Sequence, residues 1–215
     1  MTTAIKIDFV SDISCPWCVI GLKSLELALA RMGDCVQHEM HFQPFELNPD
    51  MGPEGQDIGE HLAQKYGSSP EQMAQAREMM RLRGAELGFN FDMDQRGRIY
   101  NTFDAHRLLY WAGLQGCQRE LKLALFKAYF TDGESLAAHA VLLRVAAEVG
   151  LDTLVAAEIL ASKMYAEAVR EGEQFFQSRG ITSVPAIIIN ERHLISGGQS
   201  PEVFEQALRQ IITQD

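Results

Sequence analysis

The chain is predicted to be an α/β protein in which a small sheet, built from both ends of the chain, is interrupted by an all-helical lobe. A strand–helix–strand pattern opens the sequence, and a strand–strand–helix pattern closes it. Between them, residues 58 to about 179 show helical spacing without strand-like alternation of useful length. Because the two ends must share one sheet, we divide the chain into a sheet domain of residues 1–48 and 176–215 and a helical insertion of residues 49–175.

The first unit is a β-α-β unit. Apolar and polar residues alternate from Ile5 to Val10, as in a strand with one buried face. The following helix carries one apolar stripe, which is formed by Cys18, Leu22, Leu25 and Leu29. Gly33 is a plausible C-terminal cap of this helix, and residues 36–43 alternate again as a second strand, so a right-handed crossover is expected.

The middle of the chain is a series of helices. Ser69 and Pro70 mark one helix start, with a serine cap and proline in the first turn. Further helices are predicted over residues 101–114, 120–131, 136–149 and 153–160. The apolar residues between Leu121 and Phe130 cover more than one face, so this helix is predicted to be central, and methionines such as Met73 and Met80 are interpreted as core filling.

The end of the chain returns to β structure. The run from Ala186 to Ile189 is fully apolar, which is typical of a strand buried on both faces. A short connection leads into a second strand over residues 193–196, so the two form a hairpin. Ser200 and Pro201 then begin the last helix.

The chemistry of the sequence is concentrated in Cys15-Pro16-Trp17-Cys18, a CxxC motif between the first strand and the first helix. A thiol at a helix N-terminus meets unpaired N–H groups and the positive end of the dipole, which favour the thiolate. Cys18 lies three residues further on the same face, within reach of a disulfide. We therefore predict that Cys15 is an exposed nucleophile and that Cys18 is a shielded resolving thiol.

Two other interpretations of the motif stay open at this point. CxxC is also half of a zinc site, but a tetrahedral site needs two more ligands, and no second CxxC or HxxxH occurs. The motif can also arise by chance, although few random pairs fall on a strand-to-helix junction. Cys35 and Cys117 stand alone and are interpreted as bystander thiols, so no metal is predicted.

Composition excludes several classes of partner. The formal net charge is −10, with 19 Lys and Arg against 29 Asp and Glu, so nucleic acid is a poor candidate partner. No secretory signal and no apolar run of membrane-spanning length is visible, which predicts a soluble, cytoplasmic protein. In a reducing compartment four cysteines are not expected to form a structural disulfide framework, so a transient catalytic disulfide is favoured.

The element order, with CxxC at the first helix and X-Pro before a late strand, resembles the thioredoxin fold. It looks more specifically like the DsbA-type branch, whose core is interrupted by a helical lobe, and within it like the cytoplasmic FrnE-like disulfide oxidoreductases or isomerases. The stretches that carry the resemblance are residues 12–18, 42–49 and 101–107, together with Val184-Pro185-Ala186 and Gly197-Gly198-Gln199.

The resemblance implies how a substrate would bind. In the family, the proline that matches Pro185 is cis and faces the cysteines, which leaves the backbone of Val184 free to pair with a substrate strand. Pro16, Trp17 and the helical-lobe residue His106 are the other substrate-binding candidates. As a helix-surface histidine without a visible partner, His106 has a structural alternative.

One position departs from the family pattern. Thioredoxins and many DsbA relatives carry a buried acid six residues before the nucleophile, where it moves the proton of the resolving thiol. Here this position is Phe9. Asp12 and Glu46 are candidate substitutes, but each is equally compatible with a solvated loop carboxylate.

The leading functional hypothesis is a protein thiol–disulfide oxidoreductase or isomerase without a tightly bound cofactor, acting on a protein or small-thiol substrate. The alternative is a glutathione-dependent enzyme like 2-hydroxychromene-2-carboxylate isomerases and kappa-class glutathione transferases, with residues 101–102 and 106–107 lining the glutathione site. A third hypothesis is a redox-sensing or chaperone-like binding protein. The oligomeric state stays open, a homodimer being one alternative.

Overall fold

The computed structural model describes residues 3–214. Its strands and helices are, in chain order, β1 Thr3–Ser11, α1 Pro16–Met32, β2 Val36–Pro44, β3 Gln56–Asp57, α2 Ile58–Tyr66, α3 Pro70–Glu86, β4 Arg98–Ile99, α4 Phe103–Leu114, α5 Gln118–Phe130, α6 His139–Glu148, α7 Thr153–Ala161, α8 Ala166–Ser178, β5 Ala186–Ile189, β6 His193–Ser196 and α9 Pro201–Gln214. The main sheet has the strand order β2-β1-β5-β6. The predicted α/β class is confirmed, and the two chain ends form one sheet.

Strand β1 is one of the two inner strands of the main sheet and leads into the CxxC motif at the start of α1. It pairs in parallel with β2, Phe9 lying opposite Phe42, and antiparallel to β5, Phe9 lying opposite Ile187. Phe9 is fully buried and its ring meets that of Phe42 edge-on, with centroids 5.8 Å apart. The position of the family's buried acid is therefore filled by core packing.

The edge strand β2 is covered by a side chain of the helical region. Gln118 at the start of α5 acts like a further strand residue: its Oε1 accepts from the backbone N–H of Phe42 and its Nε2 donates to the Phe42 carbonyl, both at 3.0 Å. These contacts satisfy backbone groups that an edge strand leaves unpaired. They also hold α5 against the sheet.

The helical middle of the chain is confirmed, with one exception. Residues 56–57 and 98–99 form a two-stranded antiparallel ladder that the sequence pattern did not predict, because two residues are too few to show an alternation. Helices α4, α5 and α6 begin at Phe103, Gln118 and His139, within three residues of the predicted starts. The predicted helix start at Ser69 is present, and Ser69 forms a capping box with Gln72.

The C-terminal hairpin turns through Asn190 and Glu191, whose φ angles are 52° and 58°. Two successive residues with positive φ match the twist of an antiparallel hairpin. Helix α9 follows and packs its buried residues Phe204, Leu208 and Ile211 toward α1. No helix among residues 3–214 is long and apolar enough to cross a membrane.

Candidate functional site

Cys15 is the N-cap residue of α1, with extended backbone angles and Pro16 in the first helical turn. The pKa of its thiol is lowered, first because the Cys18 thiol can donate to it and further because the N–H groups of Cys18 and Trp17 point at it; burial and the charge of Asp12 act in the opposite direction. No side-chain oxygen caps this helix, so the unpaired N–H groups at its start are available to stabilise the Cys15 thiolate.

Cys18 has the opposite character. It is fully buried on the core side of α1. Burial raises the pKa of its thiol well above the ordinary value, and the neighbouring Cys15 adds to the effect. Both cysteines are free thiols, as are Cys35 and Cys117. The predicted division into a reactive and a shielded thiol therefore matches the direction of both pKa shifts.

The predicted exposure of Cys15 is wrong, since only 5% of the residue is exposed. Its Sγ donates to the carbonyl oxygen of Val184 at 3.7 Å, and helices α2 and α3 close over it from the other side. The sequence showed Cys15 at a helix start but not which distant segments cover it. The nucleophile opens into a cavity, not onto the surface.

The segment beside Cys15 has the geometry that the resemblance implies. The Val184–Pro185 peptide bond is cis. The Pro185 carbonyl accepts from Gly197 N–H at 2.8 Å, which ties this segment to the glycine pair after β6. A Cβ on Gly198 would lie 2.9 Å from the Trp17 carbonyl oxygen, so only glycine allows this close approach to α1.

The cavity beside Cys15 has a volume of about 740 Å³ and is mostly apolar. Cys15, Pro16, Trp17 and Val184 line it together with residues of α2 and α3. Met73 and Met80, predicted as core filling, lie in its wall. Three cationic residues, Lys65, Arg77 and Arg96, also line it, so the cavity combines an apolar wall with positive charge.

Asp12 is buried behind the CxxC motif, which corrects the expectation of a solvated loop carboxylate. Its oxygens accept from the N–H groups of Ser14 at 3.0 Å and Leu47 at 2.7 Å. Burial raises the pKa of Asp12, but the neighbouring His106 and these two N–H groups outweigh it and lower the value to about 2. Asp12 is therefore ionised at neutral pH and cannot carry a proton for Cys18.

His106 is 2% exposed, so its predicted place on a helix surface is wrong. Its Nε2 lies 3.8 Å from Asp12 Oδ1, beyond hydrogen-bond length, and the interaction is electrostatic. The side chain does not line the cavity at Cys15. This placement supports a role in holding Asp12. Pro16, Trp17 and Val184 line the cavity at Cys15, and Pro185 directly follows Val184, so substrate binding by these residues stays a prediction.

Glu46, the other candidate for the missing acid, is buried at the cavity wall. It bonds to Arg170, which also bonds to Glu173 at 2.8 Å, and it accepts from Asn101 Nδ2 at 3.1 Å. Burial and then the charge of Glu173 raise the pKa of Glu46 to about 7, although Arg170 opposes them. Glu46 is thus a titrating group at the cavity, not a solvated carboxylate.

Residues 101, 102, 106 and 107, which the glutathione-dependent alternative places at its site, do not line the cavity at Cys15. Arg107 is buried and donates to the carbonyls of Ile159, Ser162 and Met164. Thr102 is 2% exposed, and Asn101 is engaged with Glu46 and Pro49. Their side chains stabilise the lobe instead.

Sequence reasoning missed Lys122, a residue of α5 that is fully buried. Burial lowers the pKa of its amine to about 8, while Cys18, Asp12 and Cys15 act in the opposite direction. The usable signal was the prediction that this helix is central, because a charged residue on a helix that is apolar on several faces has to be buried. Among residues 3–214, no three His, Cys, Asp or Glu side chains converge as metal ligands.

A thiol with a lowered pKa at a helix start, a buried second thiol three residues later and a cis-proline segment beside them define a thioredoxin-type dithiol site. The profile of the family described as "DSBA-like thioredoxin domain" matches residues 6–209. The chain belongs to this DsbA-like family of thioredoxin-fold thiol oxidoreductases.

Two relatives resemble the chain over nearly its whole length. A probable DsbA oxidoreductase from Streptomyces coelicolor, SCO1869, superposes with a TM-score of 0.93 at 32% identity, over 98% of this chain and 91% of that chain. The uncharacterized protein YwbO of Bacillus subtilis is 27% identical over 210 residues, which is 97% of this chain and 96% of that protein.

Two more distant structures share the fold. The cytosolic disulfide reductase DsbM from Pseudomonas aeruginosa, solved with GSH, has a TM-score of 0.67 at 16% identity, over 97% of this chain and 99% of that chain. A 2-hydroxychromene-2-carboxylate isomerase has a TM-score of 0.72 at 14% identity, over 97% of both chains. At these identities the likeness concerns the fold alone.

Proposed function

We propose that this protein is a thiol–disulfide oxidoreductase that exchanges disulfides with a protein or peptide substrate bound in the cavity at Cys15. The observation that carries the proposal is geometric: Cys15 is the N-cap of α1 and lies beside Val184 on an apolar cavity, while Cys18 is fully buried on the core side of the same helix. The directions of the two pKa shifts, lowered at Cys15 and raised at Cys18, agree with this geometry. This is the arrangement that lets one thiol attack and the other resolve.

In the reducing direction the reaction has two displacements. The Cys15 thiolate attacks one sulfur of a substrate disulfide, the substrate S–S bond breaks, and one substrate sulfur leaves as a thiolate. Cys18 then loses its proton and attacks Cys15 Sγ, which releases the second substrate thiolate and leaves a Cys15–Cys18 disulfide. Two electrons pass to the substrate, and the reverse sequence oxidises a substrate dithiol.

The Val184 carbonyl supports a docking role for its segment. In the free protein it accepts from the Cys15 thiol. Once Cys15 is a thiolate or is joined to substrate, this acceptor becomes available to a substrate backbone N–H. A strand of substrate pairing here would carry its sulfur toward Cys15.

Trapping of the first intermediate tests the proposal. Cys18→Ser protein mixed with a peptide disulfide is expected to accumulate a mixed disulfide at Cys15, whereas Cys15→Ser protein accumulates none. The reduction potential of the wild-type pair is expected between about −270 and −120 mV, the range of known dithiol oxidoreductases. A potential far outside this range, or adduct at Cys18 instead of Cys15, would contradict the proposal.

A second candidate is a glutathione-dependent activity. Lys65, Arg77 and Arg96 place positive charge around the cavity of a chain whose net charge is −10, and such charge suits the carboxylates of a small acidic thiol. Glutathione would then serve as redox partner or co-substrate. The two candidates differ in the turnover they predict. The glutathione-dependent candidate predicts saturable activity with glutathione and a small substrate, and this activity survives in Cys18→Ser protein.

We further propose a cytoplasmic location. The support is that all four cysteines are free thiols and that no structural disulfide framework is formed. A binding protein without turnover is the remaining alternative, and it predicts substrate capture with no change in the thiol count.

A further inference from the structure

We propose that Lys122 is the proton acceptor for Cys18 in the resolving step, replacing the buried acid whose position Phe9 occupies. The proposal rests on the thiol–disulfide exchange proposed above and names the group that receives the proton of the second thiol. The proposal has two geometric supports, which are burial without a partner and position on α5, and the electrostatic interaction with the dithiol agrees with them.

The first support is the environment of the amine. Lys122 is fully buried, its Nζ has no hydrogen-bond partner among the described residues, and it lies 5.1 Å from the centroid of the Phe126 ring. A buried amine without a hydrogen bond destabilises the fold relative to an apolar residue of the same shape. Core packing alone does not require such a residue, because methionine fills the same space.

The second support is the face of α5 on which Lys122 lies. Gln118, four residues earlier, bonds to Phe42 of β2, and Arg119, three residues earlier, donates to Glu26 of α1 at 2.6 Å. Residues three and four apart share one helix face, so the Lys122 face looks toward α1 and β2. Cys18 is buried on the core side of the same α1 helix.

The charges that act on the amine agree with these two supports. Cys18, Asp12 and Cys15 stabilise its protonated form in this order, and Lys122 in turn favours the Cys18 thiolate. Asp12 stays ionised, and neither Asp12 nor Glu46 is placed to take the Cys18 proton, the first because of its pKa of about 2 and the second because it is bound to Arg170. Lys122 is therefore the buried base whose charge interacts with the resolving thiol.

The step is balanced without a further reactant. Because Lys122 Nζ is not hydrogen-bonded to Cys18 in the free protein, the Sγ–H proton passes through a water molecule to the neutral Lys122 amine as Cys18 attacks the Cys15 mixed disulfide, and the amine becomes an ammonium ion. The substrate sulfur leaves as a thiolate with the electrons of the broken S–S bond, and the ammonium returns its proton to that thiolate or to solvent. Moving the proton within the core creates an ion pair without bringing a net charge into it.

The test separates the two displacements with 5,5′-dithiobis(2-nitrobenzoate). The first equivalent of thionitrobenzoate reports attack by Cys15, and the second reports resolution by Cys18. Lys122→Met is expected to slow the second phase at least tenfold at pH 7 and to leave the first phase within about twofold. In the wild type the second rate is expected to rise with pH toward about 8, where the amine is half neutral, and this rise is lost in the variant.

Lys122→Arg distinguishes a proton acceptor from a mere positive charge, because a guanidinium stays protonated. A slow second phase in both variants supports the proposal, whereas restoration of the wild-type rate by arginine overturns it. An unchanged second phase in Lys122→Met also overturns it. The matched control is Lys127→Met on the same helix, where the exposed lysine pairs with Asp132 and both phases are expected to stay at the wild-type rates.

A measurement on the wild type keeps the proposal testable if a variant unfolds. The ¹³Cε resonance of Lys122 is titrated in the dithiol and the disulfide forms, and the pKa of Lys122 is expected to be lower in the disulfide, where neither Cys15 nor Cys18 can carry negative charge. Identical titration in both forms overturns the proposal. If wild-type protein releases no second equivalent at all, the proposed exchange function fails instead, which is a different result.

Discussion

At the residue scale, reactivity in this site comes from unequal hydrogen bonding of two thiols that are both buried. Cys15 and Cys18 share one helical turn, yet only Cys15 receives the backbone N–H groups of the helix start. The hydrogen-bond donors near Cys18 do not offset the effect of its burial. The negative charge of the Cys15 thiolate also makes a second thiolate at Cys18 more costly. The order of the two displacements follows from this difference.

Alkylation of the reduced protein with iodoacetamide checks this order. Cys15 is expected to react first near neutral pH, with an apparent pKa below the free-thiol value of about 8.5, while Cys18 is largely spared. Cys117 is expected to lag as well, because burial raises the pKa of its thiol. Peptide mapping after short exposure identifies the labelled residue, and faster labelling of Cys18 or Cys117 would contradict the assignment.

The stability of the protein is expected to depend on pH through Glu46. Its pKa rises from 4.5 to about 7 on folding, so the folded state holds this proton more tightly than the unfolded state. The contribution of protonated Glu46 to the free energy of unfolding is fully present below about pH 4.5 and is lost as the pH rises through about 7. At ~1.4 kcal/mol for each pKa unit, the loss is at most about 3 kcal/mol.

Glu46→Gln removes this titration. From pH 5 to pH 8 the wild type is expected to lose up to that amount of unfolding free energy through Glu46, whereas the variant does not. Urea unfolding midpoints of both proteins at the two pH values measure this difference. Asp12 does not interfere, because its pKa of about 2 keeps it ionised over this range. A difference between variant and wild type that is the same at both pH values would show that Glu46 does not titrate as described.

At the element scale, the site depends on close contact between α1 and the loop after β6. Gly198 lies against the backbone of Trp17, where an added Cβ would meet the Trp17 carbonyl oxygen at 2.9 Å and Gly21 N at 3.4 Å. These are backbone atoms and cannot rotate away. The same loop holds the Pro185 carbonyl, so a displaced loop moves the docking segment away from Cys15.

Gly198→Ala is therefore expected to destabilise the protein by about 1–3 kcal/mol, the usual cost of overpacking, and to slow disulfide exchange in the fraction that remains folded. Gly52→Ala is the control, because no atom lies within 4 Å of its added Cβ. Thermal unfolding and exchange rates measured on both variants decide the matter. Equal behaviour of the two would mean that the contact with Trp17 is unimportant.

The sequence was sufficient for the elements with strong local signals. Alternation in β1 and β2, the apolar stripe of α1, and the serine and proline helix starts predicted the sheet units and the helical middle of the chain. What failed were properties that depend on distant segments. The burial of Cys15, the partner of His106 and the ion pair of Glu46 each require residues more than 30 positions away, and no local pattern encodes them.

At the scale of the whole molecule, the helical insertion completes the site instead of standing beside it. Its helices α2 and α3 supply much of the cavity wall, and Arg83 of α3 lies 5.4 Å from the Trp17 ring centroid. One continuous apolar core runs from Ile7 of β1 through Cys18 to Phe130 of α5. The sheet thus supplies the dithiol, and the helices determine what reaches it.

Filling the cavity from α3 tests this division of roles. Ala76 lines the cavity, and a phenylalanine there occupies space that a protein or peptide disulfide would need. Exchange with a peptide disulfide is expected to fall about tenfold, equivalent to ~1.4 kcal/mol of lost binding. Exchange with 2-hydroxyethyl disulfide, which is small enough to reach Cys15 past the new ring, is expected to change by less than about twofold.

Ala74→Phe is the matched control, since Ala74 lies on the same helix, is exposed, and does not line this cavity. It carries the same added volume and a similar change in helix propensity, so any general effect on α3 appears in both variants. A selective loss in Ala76→Phe would place the substrate between the helical lobe and the dithiol. Equal losses in the two variants, or equal losses for both disulfides, would mean that substrate reaches Cys15 by another face.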